Sequence, residues 1–202
     1  MCCEIDTYKK SVDKSEAIMA DSRRTQMTKS LLQTSLIELM QEKPFHKITI
    51  KEICDRADLN RTTFYLHYTD QTELLNDVIT QLENELSQYI YMSDENGMGY
   101  KIQKYLEYVK GNAKVYRTLM RSDDEGGART RIITDIIRDN KEDLPMFGDV
   151  KKSRYIYKFI IEGIVSVVLY WIDNDFDLST ETVADLILKI VSFSQEKSES
   201  MV

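Results

Sequence analysis

From Asp21 onward the apolar positions of this chain recur at three- and four-residue spacing, the period of helices with one buried face. Met27, Leu31, Leu32, Leu36, Leu39 and Met40 form a first stripe, and Pro44 closes the helix that carries it. Thr49-Ile50-Lys51-Glu52 has capping-box spacing, in which a hydroxyl and a carboxylate satisfy each other's exposed amides. It predicts a short helix with Ile50, Ile53, Cys54 and Ala57 on the inner side. Asp58-Leu59-Asn60 reads as a turn, with Asn60 capping a second short helix from Arg61 to Tyr68. Asp70-Gln71-Thr72-Glu73 repeats the box and opens a long helix towards Met92.

Beyond a polar loop at Ser93 to Gly99, helices are expected at 100–110 and 112–121. The turn Asp123-Asp124-Glu125-Gly126-Gly127 leads to a helix near 128–140, and a loop over 141–150 holds Pro145 and Gly148. Two last helices follow at 151–173 and 179–196, the second opened by Ser179 with Glu181 in its first turn. Residues 1–20 are polar and weakly periodic, which predicts a mobile arm.

Composition supports the helical reading. Among 202 residues there are 7 glycines and 2 prolines, too few for the turns of a β-sandwich or barrel. The fold expected is all-α, with about nine helices. No run reaches the ~18 uncharged apolar residues of a membrane span. The longest, Gly163 to Ile172, is bracketed by Glu162 and Asp173. The start, Met1-Cys2-Cys3-Glu4-Ile5-Asp6, lacks a signal-peptide layout, and three cysteines suit a reducing cytosol, so a cytoplasmic location without membrane attachment is expected.

The net charge of −7 argues at first against nucleic acid, but the charge is unevenly spread. Residues 71–202 carry 16 basic and 23 acidic groups, while residues 21–70 carry 8 and 7 together with both histidines, His46 and His67. That middle block also holds two very short helices joined by a tight turn, the layout of a helix-turn-helix. Phe64 and Tyr68, four apart, face inward with Leu59. Arg61, Thr62, Thr63, Tyr65 and His67 then point outward, a face without an acid that suits phosphate oxygens and base edges. Thr49 and the amides at the start of its helix can hold a phosphate, with Lys47 beside them. The same spacing also fits solvated faces of a small helical bundle.

Ile48-Thr49-Ile50-Lys51-Glu52-Ile53-Cys54, Asn60-Arg61-Thr62-Thr63-Phe64-Tyr65-Leu66-His67-Tyr68 and Thr72-Glu73-Leu74-Leu75, within Arg24 to Leu75, resemble the DNA-binding domain of the TetR family of bacterial transcription regulators. The resemblance implies that Lys47 and Thr49 lie at the phosphate backbone, Arg61, Thr62 and Thr63 in the groove, and Tyr65 and His67 on flanking phosphates. The stretch Tyr108 to Leu119 and the helix Gly163 to Trp171 are similar to regulatory domains of a low-GC Gram-positive branch of that family. The organisation expected is an arm at 1–20, a helix-turn-helix domain at 21–70 with its motif at 49–68, and a regulatory and dimerisation domain at 71–202.

Two residues depart from the family pattern. Asp58 stands where a glycine is usual in the turn, and Asp tolerates the left-handed conformation better than most residues. Gln71 stands where a lysine usually reaches a phosphate, which lowers the expected affinity and salt dependence. Both leave room for an alternative, a TetR-like adaptor that has lost DNA binding and activates a protein partner. No acid–base pair, glycine-rich phosphate loop or zinc spacing is visible, so neither enzyme chemistry nor a cofactor is expected. Asp173, Asp175 and Asp177 mimic a calcium loop, but Leu178 and Ala184 occupy the positions of its glycine and closing glutamate, so no metal is expected.

The helix 151–173 is apolar nearly all round and must be covered on every side. It is either the central helix of a monomer or shared with a second copy. A homodimer is expected, with Ile164, Val168, Trp171, Val183, Ile187 and Ile190 at the interface, and the resemblance implies the same pairing of the last two helices. Tyr105, Tyr108, Tyr116, Phe147, Tyr155 and Phe159 gather as an aromatic cluster that is either a small-molecule pocket or plain core. The function expected is a repressor released from a palindromic operator by a small-molecule effector.

Overall fold

The computed structural model of the chain describes residues 2–91, 97–122, 129, 130, 132 and 150–199. These residues hold eight α-helices, one 3-10 turn and no strand. The helices are α1 (Cys2–Glu42), α2 (Ile50–Ala57), α3 (Arg61–Tyr65), α4 (Gln71–Tyr91), α5 (Gly97–Gly111), α6 (Ala113–Met120), α7 (Val150–Asp173) and α8 (Thr180–Glu199). The 3-10 turn, Phe45–Lys47, follows Pro44. The helix expected near 128–140, the turn at Asp123 to Gly127, the loop with Pro145 and Gly148, and Phe147 lie outside the described residues, apart from Arg129, Thr130 and Ile132.

The chain divides into two compact units, Met1–Lys43 with Lys47–Asn76, and Pro44–His46 with Asp77–Val202. In the first, α1 packs on α2 and α2 on α3. Leu32, Leu36 and Leu39 of α1 are buried, as are Ile53 and Cys54 of α2 and Phe64 of α3. Full burial of a side chain such as Phe64 stabilises by about 1.5–3 kcal/mol. Burial also pushes the Cys54 thiol up, so it behaves as a small core residue.

Three details of this unit differ from the sequence reading. Helix α1 starts at Cys2, where an arm is expected, because no proline or glycine interrupts the chain before Pro44. Met27 and Leu31 are exposed, the former at 68 %. Leu31 lies about 100° round the helix from Leu32 and Met27 about 140°, so the covered face is narrower than the stripe. Helix α3 ends at Tyr65, and Leu66 and His67 form a turn rather than its last residues.

In the second unit α5 packs on α6 and α8, and α6 packs on α7. The corner after α7 is tightly tied. The Trp171 indole N–H donates to the Leu178 carbonyl at 2.8 Å, and the Phe176 ring meets Trp171 edge-on at 4.9 Å. Asp175 and Phe176 adopt left-handed backbone, with φ of 52° and 59°. Arg117 donates to the Ile172 carbonyl at 2.9 Å, satisfying one of the open carbonyls at the helix end. The Asp173 carboxylate is held by Arg117 and Arg121. Within α7, Ser153–Asp173 is long and apolar enough to cross a membrane by length and composition, more than its uninterrupted apolar run suggests. Glu162 in that stretch is paired with Arg129 at 2.5 Å, and Val165, Val168, Trp171 and Ile172 are buried against their own chain.

Candidate nucleic-acid interface

The short helices stand on local hydrogen bonds. Thr49 caps α2: its hydroxyl oxygen accepts from the Glu52 N–H at 3.3 Å, and its own N–H donates to the Glu52 carboxylate at 3.0 Å. At the other end Asp58 sits in the left-handed region, φ 53° and ψ 43°, and its N–H closes onto the Cys54 carbonyl. An aspartate therefore does the turn's work where the family usually places a glycine. Asn60 caps α3 by accepting from both the N–H (2.7 Å) and the hydroxyl (3.0 Å) of Thr63. Asp70 caps α4 by accepting from the N–H groups of Thr72 and Glu73. The Glu73 carboxylate reaches back one residue further than a capping box requires, to the N–H and hydroxyl of Thr69.

These caps hold the outward residues in register. Phe64 and Tyr68 are buried, their rings 5.8 Å apart, and Lys29 lies over the Tyr68 ring at 5.3 Å. Arg61, Thr62 and Tyr65 are exposed, whereas Thr63 and His67 are half-buried. The Thr63 hydroxyl is spent on its cap, so its main service is to set α3 in place. Leu66, passed over in the sequence because it is apolar, joins the exposed face. Its signal was helical spacing, since it lies four residues after Thr62. Gln71, the first residue of α4, is half-buried.

At the start of α2 the geometry is more constrained than expected. Thr49 is exposed, but its hydroxyl donates to Glu52 at 2.8 Å, and the Lys43 ammonium binds the same carboxylate at 2.5 Å. The cations open to solvent beside it are Lys47 and Lys51. The Lys43 bond, with those from Thr49, holds the Glu52 carboxyl at about 2 instead of 4.5. A lowered folded value stabilises the fold above the ordinary value and is lost as the pH falls towards the folded one. Thermal melts should therefore lose this contribution as pH drops from about 4.5 to about 2. Glu52→Gln should melt lower at neutral pH and lack that part of the acid slope; parallel pH profiles for the two proteins would refute the role given to this carboxylate.

The aromatic cluster separates in the second unit. The hydroxyls of Tyr105 and Tyr116 lie 2.5 Å apart, with their rings at 6.2 Å. Removal from water raises both phenols, Tyr116 to about 12, so the pair is neutral at physiological pH. Tyr108 instead donates to Glu85 of α4 at 2.8 Å. Tyr155 and Phe159, expected in the same cluster, are 82 % and 71 % exposed. They lie on the other side of α7, on a line with Gly163, Ser166 and Tyr170.

The expected dimer residues need the matching correction. Val168, Trp171, Val183 and Ile187 are buried within their own chain, because their faces of α7 and α8 pack inward. Ile164 is half-buried, and Ile190 is exposed together with Leu186.

Residues 35–78 match the family described as bacterial regulatory proteins, tetR family. Residues 100–193 match one described as a transcriptional regulator C-terminal region. An uncharacterized HTH-type transcriptional regulator of Haemophilus influenzae is 24 % identical over 187 residues, covering 86 % of this chain and 90 % of its own. The Bacillus subtilis HTH-type regulator YxbF is 22 % identical over 167 residues, 78 % of this chain, and this chain spans only 43 % of that protein. The crystal structure of a TetR transcriptional regulator from Streptococcus agalactiae is similar in fold, with a TM-score of 0.62 at 20 % identity over 86 % of this chain and 98 % of that one.

Proposed function

The chain belongs to the TetR family of transcriptional regulators, and from that premise we propose that it is a homodimeric, cytoplasmic repressor that leaves a near-palindromic operator when a small molecule binds. The observation that carries the DNA-binding part is the acid-free outward face of Arg61, Thr62 and Tyr65, held rigid by the Asn60 cap and the buried Phe64. Arg61 and Thr62 meet base edges, Tyr65 and His67 meet phosphates, and Lys47 and Thr49 flank the backbone at the start of α2. Two copies of α3 would enter successive major grooves about 34–36 Å apart.

The exposed apolar residues of α7 and α8, Tyr155, Phe159, Tyr170, Leu186 and Ile190, support the dimer. Left in water such side chains are unfavourable, and a second copy presenting the same residues would cover them. The Tyr105–Tyr116 pair, with Tyr116 buried and the two hydroxyls bonded to each other, would be one polar element for an effector that enters the second unit. An effector that favours a conformer with the wrong α3 spacing would shift the population off the operator.

Binding of the full chain to duplex from around its own gene, followed as salt is raised, tests this reading. Tyr65→Phe and His67→Ala should weaken operator and random DNA about equally and flatten the salt slope, because each removes a phosphate contact. Slopes unchanged in both variants would overturn the docking of this face, and a wild-type chain that retains no DNA at low salt would overturn the function.

A further inference from the structure

We propose that Leu66 reads a thymine, packing on the 5-methyl group at the major-groove edge of one A·T pair in each half-site. The inference rests on the DNA-binding reading above. Leu66 lies just past the last residue of α3, yet its backbone stays helical, φ −72° and ψ −19°, and its N–H donates to the Thr62 carbonyl at 3.2 Å. Its side chain therefore continues the exposed face rather than trailing from it. The pattern from 61 to 68 has helical period: Arg61, Thr62, Tyr65 and Leu66 are exposed, and Phe64 and Tyr68 are buried. Leu66 is 75 % exposed, more than any other large apolar side chain described in this unit.

A single exposed leucine is ordinary on a protein surface. This one is different because it shares a face with the residues that would enter the groove. Docking there strips water from whatever group it meets, and leucine has no donor or acceptor to replace that water. Phosphate oxygens and the edges of G·C pairs would be left without partners. The 5-methyl of thymine is the apolar group the major groove presents. The same chemistry that rejects the polar edges therefore selects this base.

The test uses the full-length chain and duplexes enriched by it from a random library. Each thymine of an enriched duplex is replaced in turn by deoxyuridine, which removes the methyl group alone. One position in each half-site should weaken wild-type binding about fourfold, as the loss of one buried methyl does. Leu66→Ala, which removes an exposed side chain and leaves the fold intact, should bind the thymine duplex more weakly and be indifferent to deoxyuridine at that position. A wild-type chain insensitive to every deoxyuridine, or a Leu66→Ala chain with the full sensitivity, overturns the inference while the DNA-binding reading stands. If the chain enriches no duplex at all, that reading fails and takes this one with it.

Discussion

Val168→Glu is expected to leave the second unit unable to fold, and Phe159→Glu to leave it folded but monomeric. Both residues lie on α7, and both would be natural targets on an interface helix. Val168 is completely buried within its own chain. A glutamate there would be a buried charge without a partner, at a cost of several kcal/mol, on the order of a domain's whole stability. Phe159 is mostly exposed in the single chain, so a glutamate there stays solvated. Its cost arises only when a second copy covers it. An obligate interface of this kind typically buries upward of about 2,000 Å², and a charge at its centre acts as strongly as one in a core.

Sedimentation at micromolar concentration, with circular dichroism as the check on folding, separates the cases. The wild type should run at twice 23.6 kDa and Phe159→Glu at 23.6 kDa with its helix content kept. Val168→Glu should lose helix content. A wild-type chain sedimenting as a monomer would rule out the two-groove mechanism. A Phe159→Glu chain that stays dimeric would move the interface to another face.

The second large effect concerns the groove. Arg61 is exposed at the first position of α3, where a guanidinium can approach a guanine edge with two parallel N–H donors. Arg61→Ala should cost about 1–3 kcal/mol on the operator and much less on random duplex. The ratio of the two affinities therefore shrinks. Equal losses on both would make Arg61 a backbone contact and leave Thr62 and Leu66 to supply the specificity.

Much of the first unit is legible in the sequence because its determinants are local. The caps at Thr49 and Asn60 are set by side chains and amides three residues apart, and the structure forms them at those positions. Asp58 could be assigned to the left-handed turn on the same ground. Even here a neighbour can intervene: Glu73 turns to Thr69 instead of closing on Asp70. Of the outward face, Arg61, Thr62 and Tyr65 are exposed as their spacing predicts, whereas Thr63 and His67 are half-buried and Leu66, which has no polar group to mark it, is exposed.

The second unit shows where local reasoning stops. An all-round apolar α7 says that every side must be covered, and it says nothing of which side the chain covers itself. That choice was made by residues far away in the sequence: Arg117 and Arg121 hold Asp173, Arg129 holds Glu162, and α6 packs along α7. These contacts turn Val165, Val168 and Trp171 inward and leave Tyr155, Phe159 and Tyr170 outside. The sequence by itself determined that the protein is helical and where its short helices begin, since hydrogen bonds within four residues decide those matters. Only the tertiary structure decided which apolar face is core and which stays exposed, because burial depends on what packs against a face and that partner is distant along the chain.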